Sequence, residues 1–188
     1  MIRKGDTIHN PITGERVTFL RTSRETNGES VFIEVELEPN GFVAMAHVHP
    51  KQAERFEVVT GRLGMKLGRR KLELGPGQSV VVEPGVPHKF WNAGDSEATF
   101  RTEVRPALQF ERLLETMFAL AVDGKTSKRG MPNPLRLAVI ANHHFGDVRL
   151  PIVPAWMQKL GLVMGAPMGR LVGYGPVYVP EAAPAAAG

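Results

Sequence analysis

The sequence predicts a mostly β fold, a sandwich or barrel of short strands with a helical appendage behind it. Three observations lead there. Residues 31–37 alternate apolar and polar side chains with the period of a strand that is wet on one face. Short apolar runs separated by Gly and Pro turns then recur up to residue 106. After Pro106 the periodicity changes to that of helices. The 188 residues therefore divide into a barrel over 1–106, a helical extension over 107–180 and a tail over 181–188.

Val31, Ile33, Val35 and Leu37 alternate with Phe32, Glu34 and Glu36 in the clearest strand. Further strands are expected at 42–48, 56–60, 63–67, 79–82, 88–91 and 98–104. Between them lie Pro39-Asn40-Gly41, Gly61, Gly75-Pro76-Gly77, Pro84-Gly85 and Asn92-Ala93-Gly94, all turn signals. Leu113, Leu114, Met117, Phe118 and Ala121 mark a helix over 108–122 that Asp123-Gly124 stops. A second helix is expected over 134–145, with Asn133 as N-cap and Pro134 at its first position. The apolar stretch 150–179 is interrupted by Pro151, Pro154, Pro167, Pro176, Lys159 and Arg170. It lacks the roughly 20-residue run of a spanning helix and reads as packing against the barrel or a second copy. A homodimer is expected on that ground. A membrane-surface role for Trp156 ranks second, and no membrane partner is expected. The Ala/Pro tail is expected to be disordered.

Composition narrows the chemistry. A hydrophobic fraction of 43% with 22% charged residues describes a chain that buries a core. With no Cys, thiolate zinc sites, iron–sulfur clusters, disulfides and a Cys nucleophile are excluded. The opening Met-Ile-Arg-Lys-Gly-Asp has no apolar signal segment behind it, so a cytoplasmic location is expected. The net charge of +4 is spread out, and one basic cluster stands apart: Arg62, Lys66, Arg69, Arg70 and Lys71. No aromatic side chain interleaves it in sequence, so it reads as a solvated hairpin edge and no nucleic acid is expected.

One segment carries most of the chemical information. His47 and His49 lie two apart in an expected strand, which points both imidazoles to one face. Glu54 follows before the next strand, and His88 comes after the turn Pro84-Gly85-Val86-Pro87. Imidazoles with one carboxylate suit Fe, Mn, Ni, Zn or Cu. Four such ligands leave one or two positions open in a five- or six-coordinate ion, as catalysis requires.

Gly41, His47, His49, Glu54 and Gly61 fall at the spacings of the first motif of the cupin superfamily, which the chain resembles. Gly77, Pro84, Gly85, His88 and Asn92 give its second motif, the one departure being Glu83 where a Pro is usual. The resemblance covers residues 31–106 and implies a double-stranded β-helix (jelly-roll) barrel in which His47, His49, Glu54 and His88 converge on a divalent transition metal ion.

Strand parity then places other side chains in the barrel interior. Val43 and Met45 share a side with His47 and His49, Phe56 with Glu54, and Phe90 with His88. Met65 belongs to a further inward set, and Thr102 shares parity with Phe100. Met45, Met65 and Phe90 serve equally well as pocket wall or as core. A divalent ion with one carboxylate keeps a charge of about +1, which favours anionic or oxygen-donor ligands.

Other signals read as structural. His143 and His144 close a helix, where the dipole favours them. Gly124-Lys125-Thr126 imitates a P-loop end, but the required upstream Gly position holds Ala119. Glu83 reads as a solvated turn residue.

Fold does not choose the reaction. The leading expectation is a metal-dependent enzyme of oxygenase type acting on a small, partly apolar molecule. The alternatives are a non-redox isomerase or lyase, and a ligand-binding or sensor module without chemistry.

Overall fold

The computed structural model describes residues 2–180; the tail expected over 181–188 lies outside the described residues. Nine strands and three helices follow one another in the order β1 (Thr7–Asn10), β2 (Glu15–Arg21), β3 (Val31–Leu37), β4 (Ala53–Thr60), β5 (Leu63–Leu67), β6 (Arg70–Leu74), β7 (Ser79–Val82), β8 (His88–Asn92), β9 (Ala98–Arg105), α1 (Phe110–Val122), α2 (Pro134–His143) and α3 (Ala155–Leu171). The strands form two antiparallel sheets. One has six strands in the order β1-β2-β3-β9-β4-β7, and the other has three in the order β6-β5-β8.

Alternation drives the packing. In β3 every odd residue is buried and every even one is partly exposed, so Val31, Ile33, Val35 and Leu37 turn inward. β9 pairs with β3 and β4 and buries Ala98, Phe100, Thr102 and Val104 on the same side. The small sheet contributes Leu63, Met65 and Phe90 to the core shared by both sheets. Phe56, Phe90 and Phe100 meet at its centre, with ring centroids 5.2–5.9 Å apart.

The structure departs from the sequence-based expectation in three places, the first of them at the site. Residues 42–48 do not form a regular strand. They form two isolated bridges to β8, Phe42–Trp91 and His47–His88. Val43 N–H donates to Phe90 C=O and His47 N–H donates to His88 C=O, so four residues on one side span two on the other. The two surplus residues bulge at Ala44-Met45-Ala46, while Val43, opposite the inward Phe90, stays packed against the core. Second, the basic cluster does lie on a solvated hairpin edge, but residues 70–74 of that edge form a strand, β6, that the sequence does not announce. Third, α3 runs through Pro167, which was expected to break it.

The helices divide into two groups. α1 lies against the barrel and adds Phe110 and Phe118 to its core. α2 begins as expected, with Asn133 accepting from Arg136 N–H at 3.0 Å and Pro134 next to it. α3 packs along α2 through its small side chains. A Cβ at Gly169 would stand 2.5 Å from Val139 and 2.6 Å from the Leu135 carbonyl, so only Gly allows this approach. Ala166 and Gly169 are buried, while Trp156 (69% exposed), Leu160 (58%), Met164 (68%) and Leu171 (87%) face outward. The bulk of α3 is therefore on its free side.

Away from the site, Glu15 is buried at the start of β2, where its carboxylate accepts from Thr13 Oγ1 at 2.7 Å. Burial pushes its pKa up to about 7, against a smaller lowering by the Thr13 hydroxyl. The folded state thus holds a proton that the unfolded state releases near pH 4.5, and stability falls as the pH rises from there through about 7. Glu15→Gln is expected to match wild type in urea denaturation at pH 5. At pH 8 it should be more stable by up to about 3 kcal/mol.

Candidate metal centre

Four side chains from three parts of the barrel converge. His47 and His49 come from the bulged segment, Glu54 from the second position of β4, and His88 from the first position of β8. The two-way backbone pairing of His47 with His88 brings their rings to 4.3 Å between centroids. One ligand atom from each of the four residues lies within 4.8 Å of all the others. His49, Glu54 and His88 are buried (4%, 4% and 2% exposed) and His47 is partly exposed, so the approach from solvent passes His47.

The imidazoles are held by their outer nitrogens. His47 Nδ1–H donates to Met45 C=O at 2.8 Å and His88 Nδ1–H to Val86 C=O at 3.2 Å. His49 Nδ1–H is shared between Gln52 Oε1 at 3.0 Å and Asp147 C=O at 2.7 Å. These carbonyl acceptors assign the Nδ1–H tautomer to all three rings and leave each Nε2 as a lone pair. A carbonyl or amide behind each ring is the support that metal-ligating histidines receive.

The inner atoms pass the corresponding test. His88 Nε2 stands 2.7 Å and His49 Nε2 3.7 Å from Glu54 Oε2. Despite the short distance, His88 Nε2 and Glu54 Oε2 are both buried without a hydrogen bond of acceptable geometry. Lone pairs aimed at one point, rather than at each other, fit a cation between them.

The charges agree with that geometry. Burial raises the Glu54 pKa, but His49, His88 and His47 outweigh it and hold the carboxyl at about 2. For His47, burial and then the neighbouring His88 and His49 lower the pKa to about 3, so this imidazole is neutral across the physiological range. Burial also depresses His88, yet the Glu54 carboxylate beside it raises it on balance. The ionised Glu54 and the neutral His47 are in the states that metal ligation needs, whereas the proton that Glu54 favours on His88 is one that a bound ion would displace.

Residues 33–104 match the family model of the cupin domain. The barrel belongs to the cupin superfamily. No curated protein matches the sequence. Among solved structures, a cupin-superfamily sugar phosphate isomerase from Silicibacter pomeroyi is similar at 24% identity and TM-score 0.45 over 50% of this chain, which spans 60% of that enzyme. A predicted oxalate decarboxylase from Thermotoga maritima is similar at 17% identity and TM-score 0.49, over 56% of this chain and 98% of its own. An RmlC-like cupin from Shewanella frigidimarina follows at 17% and 0.48, over 59% and 93%.

The expected pocket residues of this cupin barrel fall into three groups. Phe56, Met65 and Phe90 are buried core beneath the cluster, with the Phe56 ring 6.2 Å from that of His88. Val43 is half-buried against that core, and Met45 is half-buried within the bulge. Thr102 is 2% exposed, and its hydroxyl is buried with no hydrogen-bond partner among the described residues. His143 and His144 stay outside the cluster. His143 Nε2 meets Gln109 Oε1 at 3.0 Å, and the buried His144 lies 3.2 Å from Asp147 Oδ2.

Two contributors were missed in sequence. Gln52 is 1% exposed, and its Nε2 donates to the carbonyls of Pro106 and Ala107 at 3.0 and 3.1 Å while its Oε1 supports His49. A Gln between two expected strands carries no marker of such a role. Asp147 acts through its backbone, which no side-chain pattern reveals. The segment reaches the barrel because Val48 and Arg149 exchange both backbone hydrogen bonds at 2.9 Å. Phe110 also covers this side, its ring 6.4 Å from that of His49. Replacing Gln52 by Leu strands two buried carbonyls and removes one of the two acceptors of His49 Nδ1–H. A loss of about 2–4 kcal/mol is expected by chemical denaturation, with Gln52→Glu keeping the His49 contact.

Proposed function

We propose that this cupin is a metal-dependent enzyme of oxygenase type that acts on a small, partly apolar molecule. His47, His49, Glu54 and His88 hold one divalent transition metal ion, with the chemistry in the barrel of residues 1–106. The observation that carries this reading is the set of outward-clamped imidazoles whose free Nε2 atoms converge with an ionised, partnerless carboxylate oxygen. A divalent ion held there supplies Lewis acidity and, if redox-active, the electrons that dioxygen chemistry needs.

The chain's own residues supply the rest. His47, on the open side, faces the incoming molecule. Val43 and Met45 line that approach and exclude water, and Phe56, Met65 and Phe90 form the apolar floor. The unpartnered Thr102 hydroxyl supplies a polar contact to a ligand oxygen. The scarcity of polar side chains at this floor favours the oxygenase reading over an isomerase or lyase, which would need a positioned acid or base.

Elemental analysis of protein purified without chelators is expected to find about one Fe, Mn, Ni, Zn or Cu per chain, and none in His88→Ala. Oxygen uptake with Fe(II) or Mn(II) over phenolic and diketone compounds, lost in His47→Ala, is the expected activity. Turnover without oxygen would replace this reading with the isomerase or lyase. Saturable binding without turnover would replace it with the sensor.

A second copy of the chain is proposed to cover α3. Its exposed Trp156, Leu160, Met164 and Leu171 are large apolar side chains left on one helix, the kind of surface that marks an interaction site. The packing of α3 on α2 by small side chains leaves these bulky ones for a partner. Light scattering is expected to give a dimer for wild type and a monomer for Leu160→Glu with Met164→Glu.

A further inference from the structure

The outer face of the small sheet carries a feature the metal reading does not use. β5 pairs with β6 and β8 so that Lys66 is directly opposite Lys71 on one side and Lys89 on the other. Three ammonium-bearing residues thus form a row across three strands, about 10 Å long at the usual strand spacing. Like charges in directly opposed positions repel, and such a row is destabilising by itself. None of the three has a carboxylate partner among the described residues; the acidic neighbour on this face, Glu73, is paired with Arg62 at 3.3 Å.

Two residues further along the same strands, and so on the same face, the row is Glu73, Gly64 and Trp91. A Cβ on Gly64 would stand 2.3 Å from Trp91 Cε2 and Nε1, so the half-buried indole rests on bare backbone. Lys71 Nζ is 5.4 Å and Lys89 Nζ 5.9 Å from the indole centroid. Beside it opens a cleft of about 580 Å³ lined by polar groups, among them Asn40, Glu73 and Asp95. The basic cluster that lacked an interleaved aromatic in sequence therefore has one in space, supplied by β8 together with Lys89.

We propose that this face binds single-stranded nucleic acid, its phosphates along Lys66, Lys71 and Lys89 and a base stacked on Trp91. A cationic track beside an aromatic side chain that reaches an open cleft, as Trp91 does, is the recurring arrangement for that ligand. The open cleft gives the base edge polar partners, while the Glu73 and Asp95 carboxylates keep phosphate on the lysine side. Strand parity separates this surface from the metal centre, since His88 and Phe90 of β8 point inward and Lys89 and Trp91 outward.

The chain contains two Trp, so Trp156→Phe leaves Trp91 as the sole indole reporter. Titration of that full-length variant with a short oligodeoxythymidylate is expected to quench its fluorescence. The affinity should fall with salt at a log–log slope of about −2, the value for three phosphate contacts on a single strand. Lys66→Gln, Lys71→Gln and Lys89→Gln together should weaken binding at least about tenfold with metal content unchanged. If the triple variant does not fold, Lys66→Gln alone should reduce the slope by about 0.7. No quenching at low salt overturns the proposal, as does quenching that these substitutions leave intact. Binding of inorganic tripolyphosphate or phosphatidylserine vesicles without binding of the oligonucleotide also overturns it, assigning the face to simple anions or to lipid.

Discussion

Burial of the Glu54 carboxylate among three imidazoles is the constraint on which the remainder of the site depends. An ionised carboxylate in an apolar barrel is tolerated when the surrounding dipoles and donors are fixed in place. Here the fixing is done from behind the histidines. The Met45 carbonyl requires the bulge before His47, the Val86 carbonyl requires the turn before His88, and the Asp147 carbonyl requires the segment after α2 to dock. Three local irregularities, each costly in isolation, thus serve one electrostatic requirement.

The helical extension is consequently more than an attachment. Asp147 and Gln52 share His49 Nδ1–H, and Gln52 also ties His49 to the carbonyls of Pro106 and Ala107 where the last strand hands over to α1. Phe110 and Phe118 complete the core, and Phe110 flanks His49. Barrel and extension are joined at the place where the site is most sensitive to position. The farther part of the extension behaves differently: α3 touches α2 by its glycines and turns its bulk outward, which is the arrangement of an interface.

β8 shows how much chemistry a single strand can separate. Its inward residues, His88 and Phe90, serve the buried cluster and the aromatic centre. Its outward residues, Lys89 and Trp91, complete a cationic face with β5 and β6. The period of two keeps the two environments apart across one sheet thickness. A nucleic-acid strand on the outer face and a small, partly apolar molecule inside would meet entirely different chemistry.

By itself the sequence determined the strand pattern of residues 31–37, the barrel class, the start of α2 at Asn133-Pro134, and the four ligand-type side chains, because each is written in local periodicity or in the spacing of chemically distinctive residues. Only the tertiary structure decided that residues 42–48 bulge rather than pair, since the bend is set by two bridges to β8 that lie more than 40 residues away in sequence. Tertiary structure also decided the supporting shell. Gln52 is an unremarkable polar residue until it is buried, and Asp147 acts through a backbone carbonyl that every residue possesses. The continuation of α3 through Pro167 and the meeting of Trp91 with Lys66 and Lys71 have the same origin. Both depend on which surfaces face each other, and side-chain patterns along a chain record faces but not their partners.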